Sequence, residues 1–542
     1  MDGHTDPQIP THPSYLFIRT FVCNMILDFH NQKYYRYLFL MRYAKRWLKT
    51  EIAQYDNSCV MFTLLFFRKC NHRYRGFARR GVKSVKPPVP FIGNMFGIIT
   101  GKEHFTTALS RIYNAFPEEK FVGYYEFMKS IVMIKDIELI KKICIKDFDH
   151  FQDHRQLMET DDSIFTRHLF ALRGQKWRDM RATLSPAFTG SKMRTMFQFV
   201  VECAEGMTDY YAKQCKESEN GMVEIEMKDT FSRYTNDVIA SCAFGLKVNS
   251  LQDKENEFYE MGKKFSNFNI LQLLKFLAYS ISPKLMKLLR IPLISDKVSY
   301  FFRTLVQGTM KNREENNIIR EDMIHLLMEA KKEWSDDDLT AQALLFFVAG
   351  FDTSSQLLCF FAHEMAANPD IQLRVQAEID ETKLAATAYY YHFILFIPET
   401  LRLWPPAVAT DRACVKPYTL PPVGESGKEY KLQKDDSIWI PIYAIQHDPE
   451  YFPNPDKFDP ERFSDANKDS IKPCTFLPFG LGPRNCIGSR FALMEVKAII
   501  FYLMLSFEFC VTSKTEIPLV INSKGVAMKP KNGFWLGLKP RV

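Results

Sequence analysis

Cys486 lies in the segment Pro478–Lys497, in a loop that also contains three glycines. A cysteine thiolate can ligate a metal or act as a nucleophile. Gly480, Gly482 and Gly488 allow a sharply bent backbone and close approach to a flat ligand. Apolar residues then recur at mostly helical spacing, so Cys486 is expected at the start of a buried helix. Free N–H groups and the helix dipole at such a position favour a negative sulfur.

Other roles for Cys486 remain open at this level. A single cysteine is most often a buried structural residue. A zinc site needs more ligands than the neighbouring sequence offers, and a nucleophile needs a histidine, which this stretch lacks. Arg484, two residues earlier, could bind an anion.

Two further stretches hold residues that could do chemistry. Trp177 and Arg181 are four apart and share a helix face. Both are pure donors, which suits a carboxylate, although such pairs are commonly surface cation–π contacts. Ala349–Thr353 places Asp352 and Thr353 in a helix that is apolar nearly all round. A buried unpaired carboxylate is costly, whereas a threonine hydroxyl often bonds the preceding turn for structural reasons.

The elements that position these residues are predicted to be mostly helical. The predicted elements are helices over His104–Phe116 and Asp136–Phe148, amphipathic helices within residues 195–245, and a strand over Ile131–Ile134. A long central helix begins near Ser335, a good N-cap followed by three aspartates, and ends before Pro369.

The chain has 542 residues, 46% apolar and 25% charged, which suffices for a large core. Linkers, repeats and low-complexity blocks are absent after the N-terminal region, so one domain over residues 87–542 is predicted. Twelve scattered cysteines suggest reduced thiols facing a cytosolic environment.

The N-terminal region is basic and only partly apolar. Residues 68–86 carry eight Lys or Arg and no acid, which is typical of a nucleic-acid patch or of the flank of a membrane anchor. An aromatic–basic platform or zinc finger would support the first, and the sequence has neither, so no nucleic-acid partner is expected. Tyr15–Leu27 is interrupted by polar residues and Ser58–Phe67 is short, whereas a spanning helix needs about 20 residues. Residues 58–86 are thus a candidate membrane anchor, and residues 1–57 are an unexplained extension.

The pattern Phe479-x-x-Gly482-x-Arg484-x-Cys486-x-Gly488 resembles the haem-binding signature of the cytochrome P450 superfamily. Further motifs agree in order: Trp177-x-x-x-Arg181, AGFDT at 349–353, Glu399-x-x-Arg402 and PERF at 460–463. LSPAF at 184–188 and GPRNCIG at 482–488 resemble the animal microsomal drug- and steroid-oxidising branch. Residues 443–449, YAIQHDP, resemble the sheet segment before PERF. The resemblance runs from about Pro87 to the C-terminus. It implies a mainly α fold with small β-sheets (α+β), as one haem domain with helix-rich and β-rich parts.

The resemblance also implies roles for individual residues. Haem b would be bound with Cys486 as the axial ligand of the iron. The other implied cofactor-binding residues are Trp177, Arg181, Arg412, Arg484, Phe479 and Gly488, of which Trp177, Arg181 and Arg412 would bind propionates. Thr353 would order water at bound dioxygen and Asp352 would relay protons. Glu399, Arg402 and Arg462 would brace the core behind the haem.

The implied function is a monooxygenase that inserts one oxygen atom from O2 into a lipophilic small molecule: a xenobiotic, a steroid or a fatty-acid-like compound. NADPH–cytochrome P450 reductase would supply electrons, with cytochrome b5 as a further candidate donor, at the cytoplasmic face of the endoplasmic reticulum membrane. Lys176, Arg178 and Lys497 are candidate docking contacts. Asn267–Leu293 is either a buried helix or a lid that contacts the bilayer. The alternatives are a reductase-independent isomerase or synthase and a catalytically impaired haem-binding relative.

One segment departs from the family pattern. The connection from Asp380 to Glu399 is short, and Pro398 stands where the family's helix is already running, so that helix is expected to start late. Our hypothesis is that Ala385–Pro398 is mis-spliced or mis-predicted. Transcript sequencing tests it, and reads that encode these residues as written would refute it.

Overall fold

The protein is represented by a computed structural model that describes residues 73–85, 89–90, 92–156, 164–266, 275, 278–279, 283–289, 291, 295–384, 395–423, 428–525 and 527–541. The predicted extension at 1–57 and most of the predicted anchor at 58–86 lie outside these residues. The described residues belong to one unit, Arg73–Val542.

Helices make up most of the described chain. In order they are α1 Gly76–Arg79, α2 Phe96–Ile99, α3 Phe105–Tyr113, α4 Ile137–Lys141, α5 Gly174–Leu184, α6 Gly190–Glu217, α7 Met227–Ile239, α8 Glu257–Ser266, α9 Pro283–Leu288, α10 Asp296–Glu315, α11 Met323–Glu329, α12 Asp336–Ala367, α13 Pro369–Leu384, α14 Phe396–Leu403, α15 Ile442–Gln446 and α16 Ser489–Ser506.

Three small sheets accompany the helices. The strands are β1 Phe121–Glu126, β2 Lys129–Ile134, β3 Val223–Glu226, β4 Thr410–Ala413, β5 Tyr418–Val423, β6 Lys428–Leu432, β7 Ser437–Ile440, β8 Phe507–Cys510 and β9 Trp535–Pro540. Their orders are β1-β2-β7-β4, β3-β9-β8 and β5-β6. Only the β2–β7 pairing is parallel among the described strand pairs. The predicted α+β fold class is confirmed.

Local capping explains where several helices begin. The side chain of His104 accepts from Thr106 N at the start of α3, and that of Asp136 accepts from Leu139 N at the start of α4. Ser335 and Asp338 form a reciprocal capping box on α12, which satisfies donors that the helix itself leaves free. The predicted starts of these three helices therefore agree with the structure, and α12 ends two residues before Pro369 as expected.

The central helix α12 lies in the main hydrophobic core, with α7, α10, α14 and α16 packed against it. Most of its residues from Ser354 to Ala366 are buried. Among the described helices it alone is long and apolar enough to cross a membrane, and 61% of its most apolar window is buried inside the protein. Its apolar character is therefore that of a core helix.

One sequence-based expectation changes. The segment 443–449, expected in a sheet, mostly forms the short helix α15, whose buried residues pack inward. The helix that carries Glu399 begins at Phe396, so Pro398 lies in its first turn. A proline there removes no helical hydrogen bond, which agrees with the late start expected from the sequence. Residues 385–394 of the questioned segment lie outside the described residues, as does most of 267–293.

Candidate active site

The loop before α16 is closed by backbone hydrogen bonds around Cys486. Cys486 N donates to Phe479 O at 2.8 Å, and Asn485 N donates to Gly482 O at 2.9 Å. Gly480 and Gly482 have φ values of +74° and +76°, a left-handed conformation that favours glycine. The loop thereby delivers Cys486 three residues before the start of α16.

Cys486 faces a cavity of about 570 Å³ with mainly apolar walls. The helix α12 contributes Ala349, Gly350 and Thr353 to the cavity wall. The loop contributes Phe479 and Gly488, and α5 contributes Trp177 and Arg181. The Cys486 thiol therefore lines the same mainly apolar space as the AGFDT segment.

Burial and nearby donors have opposite effects on the pKa of the Cys486 thiol. Burial raises the pKa of Cys486, while the Gly488 N–H and the charge of Arg181 oppose that rise. In the described protein, desolvation thus outweighs the helix-start effect expected from sequence. A bound metal ion would reverse this balance, because coordination favours the thiolate.

Trp177 and Arg181 lie on the cavity wall as their spacing predicts. Trp177 is buried, and the Arg484 guanidinium stacks 4.0 Å from the centre of its ring. Arg181 donates to Asn485 O at 3.0 Å and to Asn485 Oδ1 at 3.1 Å. It therefore holds the loop beside Cys486.

Arg484 is more fully engaged than an anion-binding residue would be. Its guanidinium donates to the carbonyls of Gln152, Leu169 and Leu172 at 2.7, 3.2 and 2.8 Å. Burial lowers its pKa to about 9, although the nearby Asp153 carboxylate opposes the shift. Its main visible role is to fasten the loop to the segment before α5.

Arg412, on β4, is buried beside the cavity without lining it. Its Nη1 donates to Asp411 O at 2.7 Å and its Nη2 to Leu481 O at 3.3 Å. Its Nε has no hydrogen-bond partner among the described residues. A buried donor without a partner is costly, so this atom fits an acceptor group bound alongside the protein.

The AGFDT motif has side chains on two different sides of α12. The Thr353 hydroxyl lies on the cavity wall and donates back to Ala349 O at 2.6 Å. A Cβ on Gly350 would lie 2.4 Å from Ile239 Cδ1, so close packing of α7 also explains this glycine.

Asp352 points away from the cavity. Its Oδ1 lies 2.8 Å from Lys228 Nζ on α7, and the same Nζ donates to Ser355 Oγ at 2.6 Å. Burial would raise the pKa of Asp352, but the charge and hydrogen bond of Lys228 outweigh it and the pKa is lowered. Asp352 is absent from the cavity lining in the described part of the chain. Sequence reasoning missed Lys228, because its partner is 124 residues away.

The structure brings Glu399, Arg402 and Arg462 together. Arg402 Nε lies 2.8 Å from Glu399 Oε2, and Arg402 Nη2 lies 2.8 Å from Glu399 Oε1. Both side chains are fully buried. Arg462 Nε lies 3.5 Å from the same carboxylate. Arg402 Nη1 also donates to Gln446 O at 2.9 Å. Gln446 was missed from the sequence, since a lone glutamine in a short helix carries no signal.

These features fit a flat, iron-containing cofactor with carboxylate groups. The cavity offers the Cys486 thiol in a glycine-containing loop that allows close approach, apolar walls, and the donors of Trp177, Arg181 and Arg412 nearby. The orphan Arg412 Nε is the observation that tests the fit. Fold and site together define a haem-thiolate protein.

Comparison with known proteins gives the family. A family model described as cytochrome P450 matches residues 84–536. The chain is 47% identical to cytochrome P450 9e2 of Blattella germanica, over 87% of this chain and 95% of that protein. It is 43% identical to a probable cytochrome P450 9f2 of Drosophila melanogaster, over 88% and 97%. The chain belongs to the cytochrome P450 family: it is a P450-type monooxygenase and binds haem b.

Proposed function

We propose that the protein inserts one oxygen atom from O2 into a lipophilic small molecule, using electrons from a flavoprotein reductase. One observation carries the proposal: Cys486 and Thr353 line the same mainly apolar cavity of about 570 Å³. A cavity of this size and lining suits a small apolar ligand. When bound, haem supplies the oxygen chemistry, and the protein supplies its ligand, its protons and the shape of the pocket.

Each site residue then has a proposed role. Cys486 would hold the haem iron through its thiolate, and Phe479 and Gly488 shape the loop that presents it. Trp177, Arg181 and Arg412 bind the cofactor carboxylates, because their N–H groups only donate. Arg484, fixed by three carbonyls, positions the loop.

At the cavity wall, Thr353 would hold a proton-donating water, because its hydroxyl can accept from water while it donates to Ala349 O. Asp352 serves proton delivery only when its pair with Lys228 opens. Glu399, Arg402 and Arg462 brace the site from behind.

The proposed substrate is a xenobiotic, steroid or fatty-acid-like compound, supported by the apolar cavity walls. Described wall residues include Ala407, Ala409 and Thr410. In the 267–293 region, Leu285, Leu288 and Leu289 are exposed. That exposure supports a lid that faces an apolar environment, rather than a buried helix.

The proposed electron donor is NADPH–cytochrome P450 reductase, with cytochrome b5 as a second donor, at the cytoplasmic face of the endoplasmic reticulum. Lys176 is exposed, and Arg178 is half exposed and paired with Asp149 at 2.8 Å. Burial lowers the pKa of Lys497, so Lys176 and Arg178 are the better docking candidates. The docking surface of the electron donor would carry charge complementary to these two side chains.

The carbon monoxide spectrum of the reduced protein tests the cofactor ligand. We expect a red-shifted Soret band that Cys486→Ala abolishes and that a control, Cys474→Ala, retains. Turnover with NADPH and reductase, compared with turnover by cumene hydroperoxide, tests the reaction. Peroxide rearrangement without any NADPH-dependent product would instead identify a reductase-independent isomerase or synthase. Haem uptake without turnover by either route would identify an impaired relative.

A further inference from the structure

The cavity that Cys486 lines extends beyond the AGFDT segment. On α12 its wall residues run from Leu345 to Leu357, which corresponds to about 18 Å of helix. Further wall residues come from α6, from α11 and from the helical turn Ala240–Phe244, against which both of these helices pack. We name this part of the cavity the side arm. Its wall residues include Lys192, Met196, Cys242, Ala243, Glu321 and Leu326.

Two aromatic rings lie where the side arm meets the thiolate loop. Phe188 lies against the loop, since a Cβ on Gly488 would be 3.7 Å from its Cε1 atom. The ring of Phe188 also packs on Phe346 of α12, with 5.7 Å between the ring centres. Both rings line the cavity. They narrow the space beside the loop with apolar atoms alone, so a small apolar molecule meets no polar barrier there.

The middle of the side arm is apolar and closely walled. Met196, Cys242 and Ala243 are each less than 9% exposed. The Cys242 thiol donates to Met196 O at 3.6 Å, which ties the turn to α6. Such walls disfavour ions and strongly polar molecules, because these would lose their hydration without gaining partners.

A single ion pair lies at the outer end of the side arm. Lys192 Nζ on α6 lies 3.1 Å from Glu321 Oε1, just before α11, and the two side chains are 36% and 53% exposed. Because both also line the cavity, the side arm reaches solvent here. The neighbouring Asp322 is held by Arg313 at 2.6 Å, so it does not compete for the lysine. An exposed ion pair is weak, and it therefore opens easily.

We propose that the side arm is a second passage from solvent to the Cys486 cavity, and that it carries dioxygen. The ion pair closes its outer end and the aromatic pair narrows its inner end. The inference rests on the proposed function, in which O2 must reach the cavity while a lipophilic substrate fills it. Dioxygen is small, neutral and apolar, so it suits the apolar middle, whereas the closely packed walls exclude a substrate of drug size.

Binding of carbon monoxide tests whether the passage leads to the cofactor. Carbon monoxide, a small neutral diatomic like O2, is released by a light flash from the reduced full-length holoprotein, with a lipophilic alkoxycoumarin at saturation. We expect Lys192→Ala to raise the bimolecular association rate by up to about fivefold, the factor that corresponds to the roughly 1 kcal/mol of a surface ion pair. Ala243→Phe should fill the side arm and lower the rate several-fold. The matched control is Lys213→Ala, which removes another exposed ion pair of α6, with Glu217, and should leave the rate unchanged.

Cys242 provides a readout that needs neither turnover nor a gas. Its thiol is 1% exposed and lines the side arm. Methyl methanethiosulfonate is a small neutral thiol reagent, and peptide mass spectrometry measures the rate at which it labels Cys242 in the resting holoprotein. Labelling should be faster in Lys192→Ala than in wild type or Lys213→Ala. Loss of a positive charge would by itself disfavour the reactive thiolate, so faster labelling reports access. Cys359, fully buried and outside the described cavity wall, should stay unlabelled in every variant.

The two measurements together decide the inference. Unchanged labelling of Cys242 in haem-loaded Lys192→Ala would overturn it, even if Ala243→Phe fails to fold. Faster labelling without faster carbon monoxide binding would overturn it as well, because the side arm would then open without leading to the cofactor. A wild type that makes no product with NADPH and reductase, although both measurements come out as expected, defeats the proposed function and leaves the passage intact.

Discussion

Gly482→Ala is expected to damage the thiolate loop more than the same change two residues earlier. Gly480 and Gly482 have φ values of +74° and +76°. An alanine in that conformation costs about 1–2 kcal/mol at either position. The two positions differ in how much room a Cβ atom would have. A Cβ on Gly482 would lie 2.0 Å from the carbonyl oxygen of Cys144, whereas one on Gly480 would meet nothing closer than 3.8 Å.

The clash at Gly482 adds to the conformational cost because its neighbour is backbone. Cys144 is fully buried in the helical turn Lys142–Lys146 and cannot swing aside as a flexible side chain would. Forcing extra volume into packed structure costs about 1–3 kcal/mol more. Gly482→Ala should therefore cost about 2–5 kcal/mol, and the clash alone is worth roughly 5- to 150-fold in the population that keeps the loop closed.

The assay is loss of the thiolate-type carbon monoxide band with increasing urea, measured on both variants and the wild type. We expect the midpoints to fall in the order wild type, Gly480→Ala, Gly482→Ala, with the second step the larger. Equal midpoints for the two variants would refute the reasoning, because only the contact with Cys144 distinguishes them.

Two further changes test the buried charges. Arg402→Met should destabilise the protein by about 3 kcal/mol, the lower end for breaking a buried pair, because Arg462 still reaches Glu399. The yield of haem-loaded protein measures this loss. The control Arg374→Met breaks a half-exposed surface pair and should cost under about 1 kcal/mol. Lys228→Met should raise the pKa of Asp352, because only the charge of Lys529 then opposes the effect of burial. A carboxyl group whose pKa is lower in the folded than in the unfolded protein stabilises the fold at pH values above its unfolded pKa, and this stabilisation is lost as the pH falls. The variant lacks this stabilisation, so its midpoint of acid unfolding, followed by circular dichroism, should move to higher pH. An unchanged midpoint would contradict the pairing.

Local signals predicted the elements well. His104, Asp136 and Ser335 each begin a helix as their side chains suggest, because a cap is decided by residues within three positions. The spacing of Trp177 and Arg181 likewise placed both on the cavity wall. Pro398 predicted a helix that starts late, and it lies in the first turn of α14, where a proline removes no helical hydrogen bond.

The direction of a side chain within the core could not be predicted locally. The AGFDT motif placed Asp352 at the right position on the right helix, yet a lysine on α7 decides which way it points. Glu495, a fully buried acid on α16, gave no signal either, because one acid in an apolar helix is usually assumed to face solvent. Its burial depends on how α16 packs in the core, which only the assembled helices determine.

The buried Glu399–Arg402 pair is better explained by specificity than by stability. A buried ion pair often stabilises no more than a well-packed apolar pair would. Here the arginine also donates to the carbonyl of Gln446, and the Gln446 side chain accepts from Leu477 N at 2.8 Å. Leu477 is two residues before Phe479, whose carbonyl oxygen accepts from Cys486 N. The pair therefore fixes, through one glutamine, where the thiolate loop begins, which an apolar replacement would leave undetermined.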